Sequence, residues 1–150
     1  MKFHEVLGGN QSAFTLIEVL VAMAIMAIIF VLVGPIAYNF YFDYEFDSEY
    51  SLLNSVLRYA RNLSMVNHNE SDHGLYITSS DFVVFQGASY ATRDFAQDKP
   101  FPRNSAVAIA GPTELLFSAL SGRTASTTYA VSFSGKSRDV YVNLEGLVYE

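Results

Sequence analysis

The sequence predicts an α+β protein in which a long N-terminal helix packs on a C-terminal antiparallel β-sheet domain. Residues 14–33 form an apolar run whose only charge is Glu18, and a helical spacing of apolar residues continues to about Met65. After a polar stretch, residues 75–149 change to short β-rich runs separated by turn residues. This change of periodicity divides the chain into a helical half and a β-rich half.

Length and composition limit the classes of protein to consider. The 150 residues suit one domain with an anchor. The absence of cysteine excludes a disulfide framework, a thiol nucleophile and cysteine-based metal sites. A net charge of −6 argues against nucleic acid as a partner, because no overall positive field attracts phosphates. We find no grouping of nucleophile, base and acid, so we expect neither an enzyme nor a cofactor.

The apolar run of residues 14–33 has the length of a membrane span. Twenty helical residues extend about 30 Å, which is the thickness of a bilayer core. A lone carboxylate such as Glu18 costs about 2.5–3.5 kcal/mol at the bilayer centre, so we expect it to have a partner. A secretory signal is one alternative, but its small-x-small pattern, Ala22-Met23-Ala24, lies inside the apolar run. A plain anchor, the other alternative, leaves Glu18 unexplained.

The letters A-F-T-L-I-E at residues 13–18 resemble the class III signal of type IV pilins and pseudopilins. The resemblance implies that residues 1–13 are a leader, and that a prepilin peptidase cuts between Ala13 and Phe14 and methylates Phe14. It also implies that Glu18 pairs with the Phe14 amine of a neighbouring subunit. The family usually has glycine where this chain has Ala13. Pro35 lies in the register where pilins commonly carry a helix-breaking proline.

The same resemblance implies a function, partners and a location. The chain is expected to be a pseudopilin or minor type IV pilin, a structural subunit for type II protein secretion or pilus biogenesis. Its expected partners are the prepilin peptidase, other pilin subunits through the N-terminal helix, the inner-membrane assembly platform, and membrane lipid before assembly. It should cross the cytoplasmic membrane once, with the N-terminus cytoplasmic and the head outside, and then enter a filament.

The long helix is predicted in two parts, residues 14–35 in the membrane and residues 36–66 as an amphipathic helix. Gly34-Pro35 should interrupt it, because proline removes a hydrogen bond and clashes with the preceding turn; a loop ending the membrane span is the alternative. Residues 42–47 alone alternate like a strand, but a longer window shows one apolar helical stripe. The stripe comprises Phe42, Phe46, Tyr50, Leu53, Leu57, Ala60 and Ser64.

Polar residues define the remaining faces of this helix. An acidic run without a nearby compensating base follows the aromatic residues: Asp43, Glu45, Asp47 and Glu49. Four further polar residues are expected opposite the apolar stripe: Asn54, Arg58, Arg61 and Asn62.

Residues 67–150 are predicted as the β-rich globular domain, with one sheet face covered by the helix stripe. Residues 67–74 and 91–104 are expected as loops, and Ser134-Gly135-Lys136 and Glu145-Gly146 as hairpin turns. The predicted strands are Leu75–Thr78, Phe82–Gln86, Ala106–Ala110, Glu114–Ala119, Tyr129–Phe133, Asp139–Asn143 and Leu147–Tyr149.

Loose patterns in this half resemble one pilin subgroup, the type II secretion H pseudopilins and related minor pilins. The patterns are Arg58-Tyr59-Ala60-Arg61, Gly74-Leu75-Tyr76-Ile77 and Val140-Tyr141-Val142-Asn143 before Gly146. An alternative function is a pilus-tip binding module for adhesion or DNA uptake. Its candidate basic residues lie in the proline-containing loop: Arg93, Lys99 and Arg103.

Two further motifs imitate ligand sites. Gly135-Lys136-Ser137 ends like a phosphate-binding loop, but the first glycine of that motif is replaced by Ala130. His68 and His73 flank Glu70 and Asp72, yet residues of these types in a polar loop are usually only solvated. We therefore expect no nucleotide site and no metal site.

Overall fold

The structure is a computed structural model that describes residues 14–149, without the side chains of residues 32–39. The predicted α+β class is confirmed: helix α1 (Leu16–Met65) precedes strands that form two antiparallel sheets. The predicted leader, residues 1–13, lies outside the described residues. The chain divides into two compact units, Met1–Phe40 and Tyr41–Glu150, and the boundary falls within α1.

The strands form two four-stranded sheets within the described residues. The first sheet has the order β3-β2-β1-β5 and the second the order β4-β6-β7-β8. The strands are β1 (His73–Ile77), β2 (Asp81–Gln86), β3 (Lys99–Pro102), β4 (Ala108–Ala110), β5 (Glu114–Phe117), β6 (Thr127–Phe133), β7 (Lys136–Val142) and β8 (Val148–Tyr149). Each predicted strand overlaps an observed one.

Helix α1 runs without interruption from Leu16 to Met65. The predicted break at Gly34-Pro35, and the alternative of a loop there, are therefore wrong. A proline costs a helix one hydrogen bond and tends to kink it, but the turns on either side can stay helical. The predicted end near Met65 is confirmed, and Asn67 terminates the helix with a left-handed φ of 53°.

The predicted stripe of α1 enters the hydrophobic core of the unit Tyr41–Glu150. Phe42 is half-buried, and the rest of the stripe is buried: Phe46, Tyr50, Leu53, Leu57, Ala60 and Ser64. The same core cluster contains Leu75 and Phe82 from the first sheet and Tyr129 and Val140 from the second. The expectation that the helix covers a single sheet is therefore wrong, because the strands divide between two.

Asn54 is not on the exposed face where the sequence analysis expects it. Asn54 is only 4% exposed, and neither polar atom of its side-chain amide has a hydrogen-bond partner among the described residues. Asn54 follows Tyr50 by four residues and precedes Leu57 by three, so all three share one side of the helix.

The acidic run on α1 is compensated by residues distant in sequence. Asp43 pairs with Lys136, and Asp47 pairs with Arg138 at 3.3 Å. The side-chain amide of Asn104 donates to Glu45 at 2.8 Å. These partners lie far from α1 along the chain, so the sequence next to the acidic run contains no compensating base.

Among the contacts of the acidic run, the ion pair between Glu49 and Arg103 is buried. Arg103 Nε lies 3.3 Å from Glu49 Oε1, with the two side chains only 8% and 5% exposed. The backbone N–H of Asn104 donates to Glu49 Oε2 at 3.0 Å, and the guanidinium also donates to the carbonyls of Thr78 and Val107. The pair therefore joins α1 to the segment between β3 and β4.

Arg103→Leu should lower the free energy of unfolding by about 3–5 kcal/mol, because it leaves the Glu49 carboxylate buried without a cation. Thermal and urea unfolding of the full chain in detergent measure the loss. The double variant Glu49→Leu/Arg103→Leu should recover much of it, since no buried charge is left unpaired. Lys136→Leu is the matched control at a half-exposed pair and should cost less than about 1 kcal/mol. Equal losses in Arg103→Leu and Lys136→Leu would contradict the role given to burial.

The predicted loop 91–104 is wrong in part, because it contains strand β3. This strand includes Pro100 and Pro102 and lies at the edge of its sheet, where a missing backbone donor is tolerated. The hairpin turn at Ser134-Gly135 is confirmed between β6 and β7, with left-handed φ values of 49° and 82°. Two positive φ values in sequence are typical of a type I′ turn.

Candidate functional site

The candidate site is the N-terminal end of α1, where the sequence predicts cleavage and assembly. Thr15 precedes the first helical residue and caps the helix: its Oγ1 accepts from the backbone N–H of Glu18 at 3.3 Å. Its carbonyl accepts from the N–H groups of Glu18 and Val19 at 3.1 and 3.2 Å. The sequence analysis missed this cap, although Thr15-Leu16-Ile17-Glu18 has the spacing of a capping box.

Glu18 lies in the first turn of α1, and the residue is exposed. A carboxylate at this end of a helix interacts favourably with the unsatisfied N–H groups and the positive end of the helix dipole. Its side chain has no cationic partner among residues 14–149. Any ion pair of Glu18 must therefore be made with a group outside these residues or outside this chain.

Among the described residues, none covers the apolar side chains in the first part of α1. Every residue from 14 to 31 is exposed, and Phe14 and Leu16 are 78% and 81% exposed. Contiguous apolar surface of this size in a folded chain marks a surface for lipid or for other proteins. In the part of the chain that the structure describes, no helix meets the length and hydropathy expected of a membrane span. The single-pass topology stays a prediction.

Two of the predicted site residues cannot be placed in this geometry. Ala13 lies outside the described residues, and Pro35 lies where the structure describes the helical backbone but not the side chain. Phe14 and Glu18 are described and lie within four residues of each other at the helix start. The cleavage, methylation and assembly roles of all four residues stay predictions.

The three basic residues proposed for nucleic acid do not form an open patch. Arg93 pairs with Asp98 at 2.8 Å and stacks over Tyr90, with its guanidinium carbon 3.5 Å from the ring centroid. Lys99 Nζ donates to the hydroxyl of Tyr59 at 2.7 Å. Arg103 is buried against Glu49 as described above. Because each cation has a partner within the chain, these residues give no support to binding of DNA.

Two histidines approach each other beside the loop that follows α1. The rings of His68 and His73 have centroids 5.8 Å apart, with His68 exposed and His73 2% exposed. Asp72 accepts from the backbone N–H of Ala119 at 2.6 Å. Among the described residues, no group of three or more potential ligands could hold a metal ion.

Protonation of His73 should destabilise the fold. Burial lowers the pKa of this imidazole from its ordinary value of 6.5; nearby His68 and Lys99 lower it further, while the Ser71 backbone and Asp72 act in the opposite direction. The unfolded chain therefore binds the proton at a higher pH than the folded chain does. Stability should be fully present above pH 6.5 and fall as the pH decreases through the folded pKa.

Thermal unfolding of the full chain between pH 7.5 and pH 5.5 measures this effect (roughly the range in which histidine titrates). We expect Tm to decrease as the pH is lowered. In His73→Asn, the slope of Tm against pH should be smaller. His68→Asn, at the exposed neighbouring ring, should retain most of the slope. The same slope in wild type and His73→Asn would show that another group is responsible.

The segment that resembles the end of a phosphate-binding loop is part of a β-hairpin. Gly135-Lys136-Ser137 spans the hairpin turn and the start of β7, and Lys136 pairs with Asp43. A strand, not a helix, follows the turn, so no helix N-terminus faces a phosphate there.

Comparison with known families gives one match. Residues 8–34 match the family described as the prokaryotic N-terminal methylation motif. The match covers the predicted cleavage position, Glu18 and the whole of the exposed apolar segment, residues 14–31. Comparison with curated proteins and with solved structures gave no match. The chain thus carries a type IV pilin-like N-terminal signal.

Proposed function

We propose that this chain is a structural subunit of a type IV pilus or of the pseudopilus of a type II secretion system. The observation that carries the proposal is the exposed apolar helix of residues 14–31, which contains a single carboxylate and lies within the N-terminal methylation motif. An exposed apolar helix is unfavourable in water and is stabilised by lipid or by other such helices. A subunit that moves from a membrane into a filament core is surrounded first by lipid and then by other such helices.

The first step of the proposed function is removal of the leader. A prepilin peptidase would cut between Ala13 and Phe14 and methylate the Phe14 amine. The cut creates a cationic group only four residues from Glu18 along the chain. Before the cut, residues 1–13 keep polar groups at this position. Processing would therefore change the charge and the shape of the helix end that enters the assembly.

The second step is packing of the N-terminal helix against other subunits. In an apolar filament core, the Phe14 amine and the Glu18 carboxylate would each lose hydration and attract an opposite charge strongly. Glu18 of one subunit pairing with the Phe14 amine of its neighbour satisfies both. Pro35 belongs to the same helix, where a missing hydrogen bond can let the backbone adjust during assembly. Lipid, the assembly platform and other pilin subunits are the partners in this proposal.

The subunit would be inserted once in the cytoplasmic membrane before assembly, with residues 41–149 outside. We assign it to the pseudopilins or minor pilins, and within them to the type II secretion H subgroup and its relatives. This finer assignment rests on the loose sequence patterns after residue 58 and on the absence of cysteines, which precludes the disulfide-closed loop of many major pilins.

Fractionation of cells tests the proposal. The full chain is produced in a bacterium with and without an active prepilin peptidase, and in the presence of the assembly machinery. We expect it in the membrane in both cases, and in the sheared filament fraction only when the peptidase is active. Recovery of the full chain in the aqueous fraction, or filament incorporation without the peptidase, would contradict the proposal.

A further inference from the structure

A small cleft opens between the last turns of α1 and the chain around the start of β8. It has a volume of about 200 Å³ and is lined by Arg58, Arg61, Asn62, Gly146, Leu147 and Val148. We call these lining residues the arginine cleft. Its two arginines begin and end the pattern Arg58-Tyr59-Ala60-Arg61, to which the proposed function gives no chemical task.

The side chain of Arg61 is held in one position across this cleft. Gly122 and Gly146 both lie against its aliphatic stem: an added Cβ would lie 3.2 Å from Arg61 Cγ and 3.0 Å from Arg61 Cδ, respectively. The Nε of Arg61 donates to the carbonyl of Glu145 at 3.2 Å, which fixes the plane of the guanidinium. A group that is already fixed in this way loses less entropy when it binds a ligand.

The terminal nitrogens of Arg61, Nη1 and Nη2, have no hydrogen-bond or ion-pair partner among residues 14–149. Other cations of the unit Tyr41–Glu150 do have polar partners within it: Arg93, Lys99, Arg103, Lys136 and Arg138. A guanidinium presents its N–H groups in a fork that matches two oxygens of one carboxylate or phosphate. Arg61 is therefore oriented for such a group and is not neutralised by a described carboxylate.

The rest of the lining has two kinds of surface. Arg58 adds a second guanidinium and Asn62 adds a side-chain amide, and both residues are exposed. Leu147 and Val148 add aliphatic surface. The lining contains no carboxylate, although the net charge of the chain is −6. The cleft is thus a local positive site with an apolar side.

The size and the mixed lining of the cleft limit its ligand. Sites for drug-sized ligands have volumes of about 300–1,000 Å³, so a cleft of about 200 Å³ takes one small group. Inorganic phosphate has charged oxygens on all sides and would place some of them against aliphatic surface, where polar groups lose hydration. A carboxylate on a hydrocarbon stem has a charged end and an apolar part, which matches the lining.

We propose that the arginine cleft binds a carboxylate group carried on a short aliphatic stem. The terminal nitrogens of Arg61 donate to the two carboxylate oxygens, and the Asn62 amide donates to one of them. The stem lies on Leu147 and Val148. A glutamate side chain of a partner protein and a free small carboxylic acid share this chemistry. The site goes beyond the proposed function and does not depend on cleavage or on assembly of the N-terminal helix.

Nuclear magnetic resonance of the full chain in detergent micelles tests the proposal, with propionate as the probe. We expect saturable shifts of the backbone N–H signals of Gly146, Leu147 and Val148. Inorganic phosphate at the same ionic strength should bind several-fold more weakly. Absence of saturable shifts with propionate, or phosphate binding at least as tight as propionate binding, overturns the proposal.

Variants of the cleft separate specific binding from general attraction of anions. Arg61→Gln should weaken propionate binding by about tenfold or more, because it removes a charge-assisted pair of hydrogen bonds. Arg61→Lys keeps the charge but loses the paired donors, so it should also bind more weakly than wild type. The matched control is Arg123→Gln, at an exposed arginine outside the cleft, which should bind like wild type. Equal weakening in Arg61→Gln and Arg123→Gln overturns the proposal.

Asn62→Leu keeps the test valid if the Arg61 variants do not fold. Asn62 is exposed, so this change should leave Tm unaltered and weaken propionate binding several-fold. Unchanged binding in Asn62→Leu overturns the role of the amide and with it the proposed site. Glu150→Gln tests whether a carboxylate of the chain itself competes for the cleft, because Glu150 follows β8 directly. Propionate binding in Glu150→Gln alone, and not in wild type, overturns a site for an external carboxylate.

Two blocked peptides distinguish the sources of the carboxylate. One has a single glutamate between alanines, and the other has glutamine in its place. Tighter binding of the glutamate peptide than of propionate supports the site and assigns it to a partner protein. Tighter binding of propionate supports the site and assigns it to a small acid. Equal binding of the glutamate and glutamine peptides overturns the proposal, because the carboxylate then contributes nothing.

Discussion

Glu18→Ala should leave the full chain inserted in the membrane and absent from filaments. In the proposed pairing, the change leaves the Phe14 amine of a neighbouring subunit without its counter-charge in an apolar core. An unpaired buried charge costs about 3–5 kcal/mol. Since each 1.4 kcal/mol is a factor of about ten in an equilibrium constant, incorporation should fall by more than about a hundredfold. Immunoblots of membranes and of sheared filaments measure the two fractions.

Two control variants separate ion pairing from helix capping. Thr15→Ala removes the hydroxyl that caps α1 at 3.3 Å but keeps the Glu18 carboxylate. It should cost about 1 kcal/mol of helix stability and retain assembly. Glu18→Gln keeps the size of the side chain and removes its charge, so it should assemble as poorly as Glu18→Ala. Normal assembly of Glu18→Gln would contradict the pairing, and equal defects in Thr15→Ala and Glu18→Ala would favour a capping role.

Gly146→Ala should lower the free energy of unfolding by about 3 kcal/mol or more. Gly146 has a left-handed φ of 74°, and a Cβ there would lie 2.1 Å from the carbonyl oxygen of Gly122 and 3.0 Å from Arg61 Cδ. The oxygen belongs to buried backbone and cannot move aside as a flexible side chain could. The backbone strain costs about 1–2 kcal/mol, and forced displacement of a packed segment costs about 1–3 kcal/mol.

Gly135→Ala is the matched control for this effect. Gly135 has a similar φ of 82°, but nothing lies within 4 Å of the position that its Cβ would take. Gly135→Ala should therefore lower the free energy of unfolding only by the cost of backbone strain, about 1–2 kcal/mol. Urea unfolding of the full chain in detergent measures both variants. Equal losses at the two glycines would show that the contact with Gly122 does not matter.

Local sequence information predicts the helical half and most strands. The stripe from Phe46 to Ser64 repeats at three and four residues, and the buried face follows that spacing. The turn at Ser134-Gly135 is set by two residues that tolerate a left-handed backbone. The A-F-T-L-I-E letters lie inside the matched methylation motif. Each of these features depends on residues close together in the chain.

The features that the sequence analysis missed depend on partners distant in sequence. The acidic run of α1 is compensated by Arg103, Lys136 and Arg138, which lie at least 54 residues further along the chain. Strand β3 contains two prolines and exists because it pairs with β2 at the sheet edge. Asn54 is buried on the same side of α1 as Tyr50 and Leu57, whose core cluster includes residues from both sheets. Periodicity within one segment cannot detect such pairings.

The central claim is that Phe14 becomes the N-terminus of the mature protein. Mass spectrometry of the chain isolated from membranes of a bacterium with an active prepilin peptidase tests it directly. We expect the N-terminal peptide to begin at Phe14 and to carry one methyl group on its amine. A chain that begins at Met1, or after Ala24, would contradict the claim.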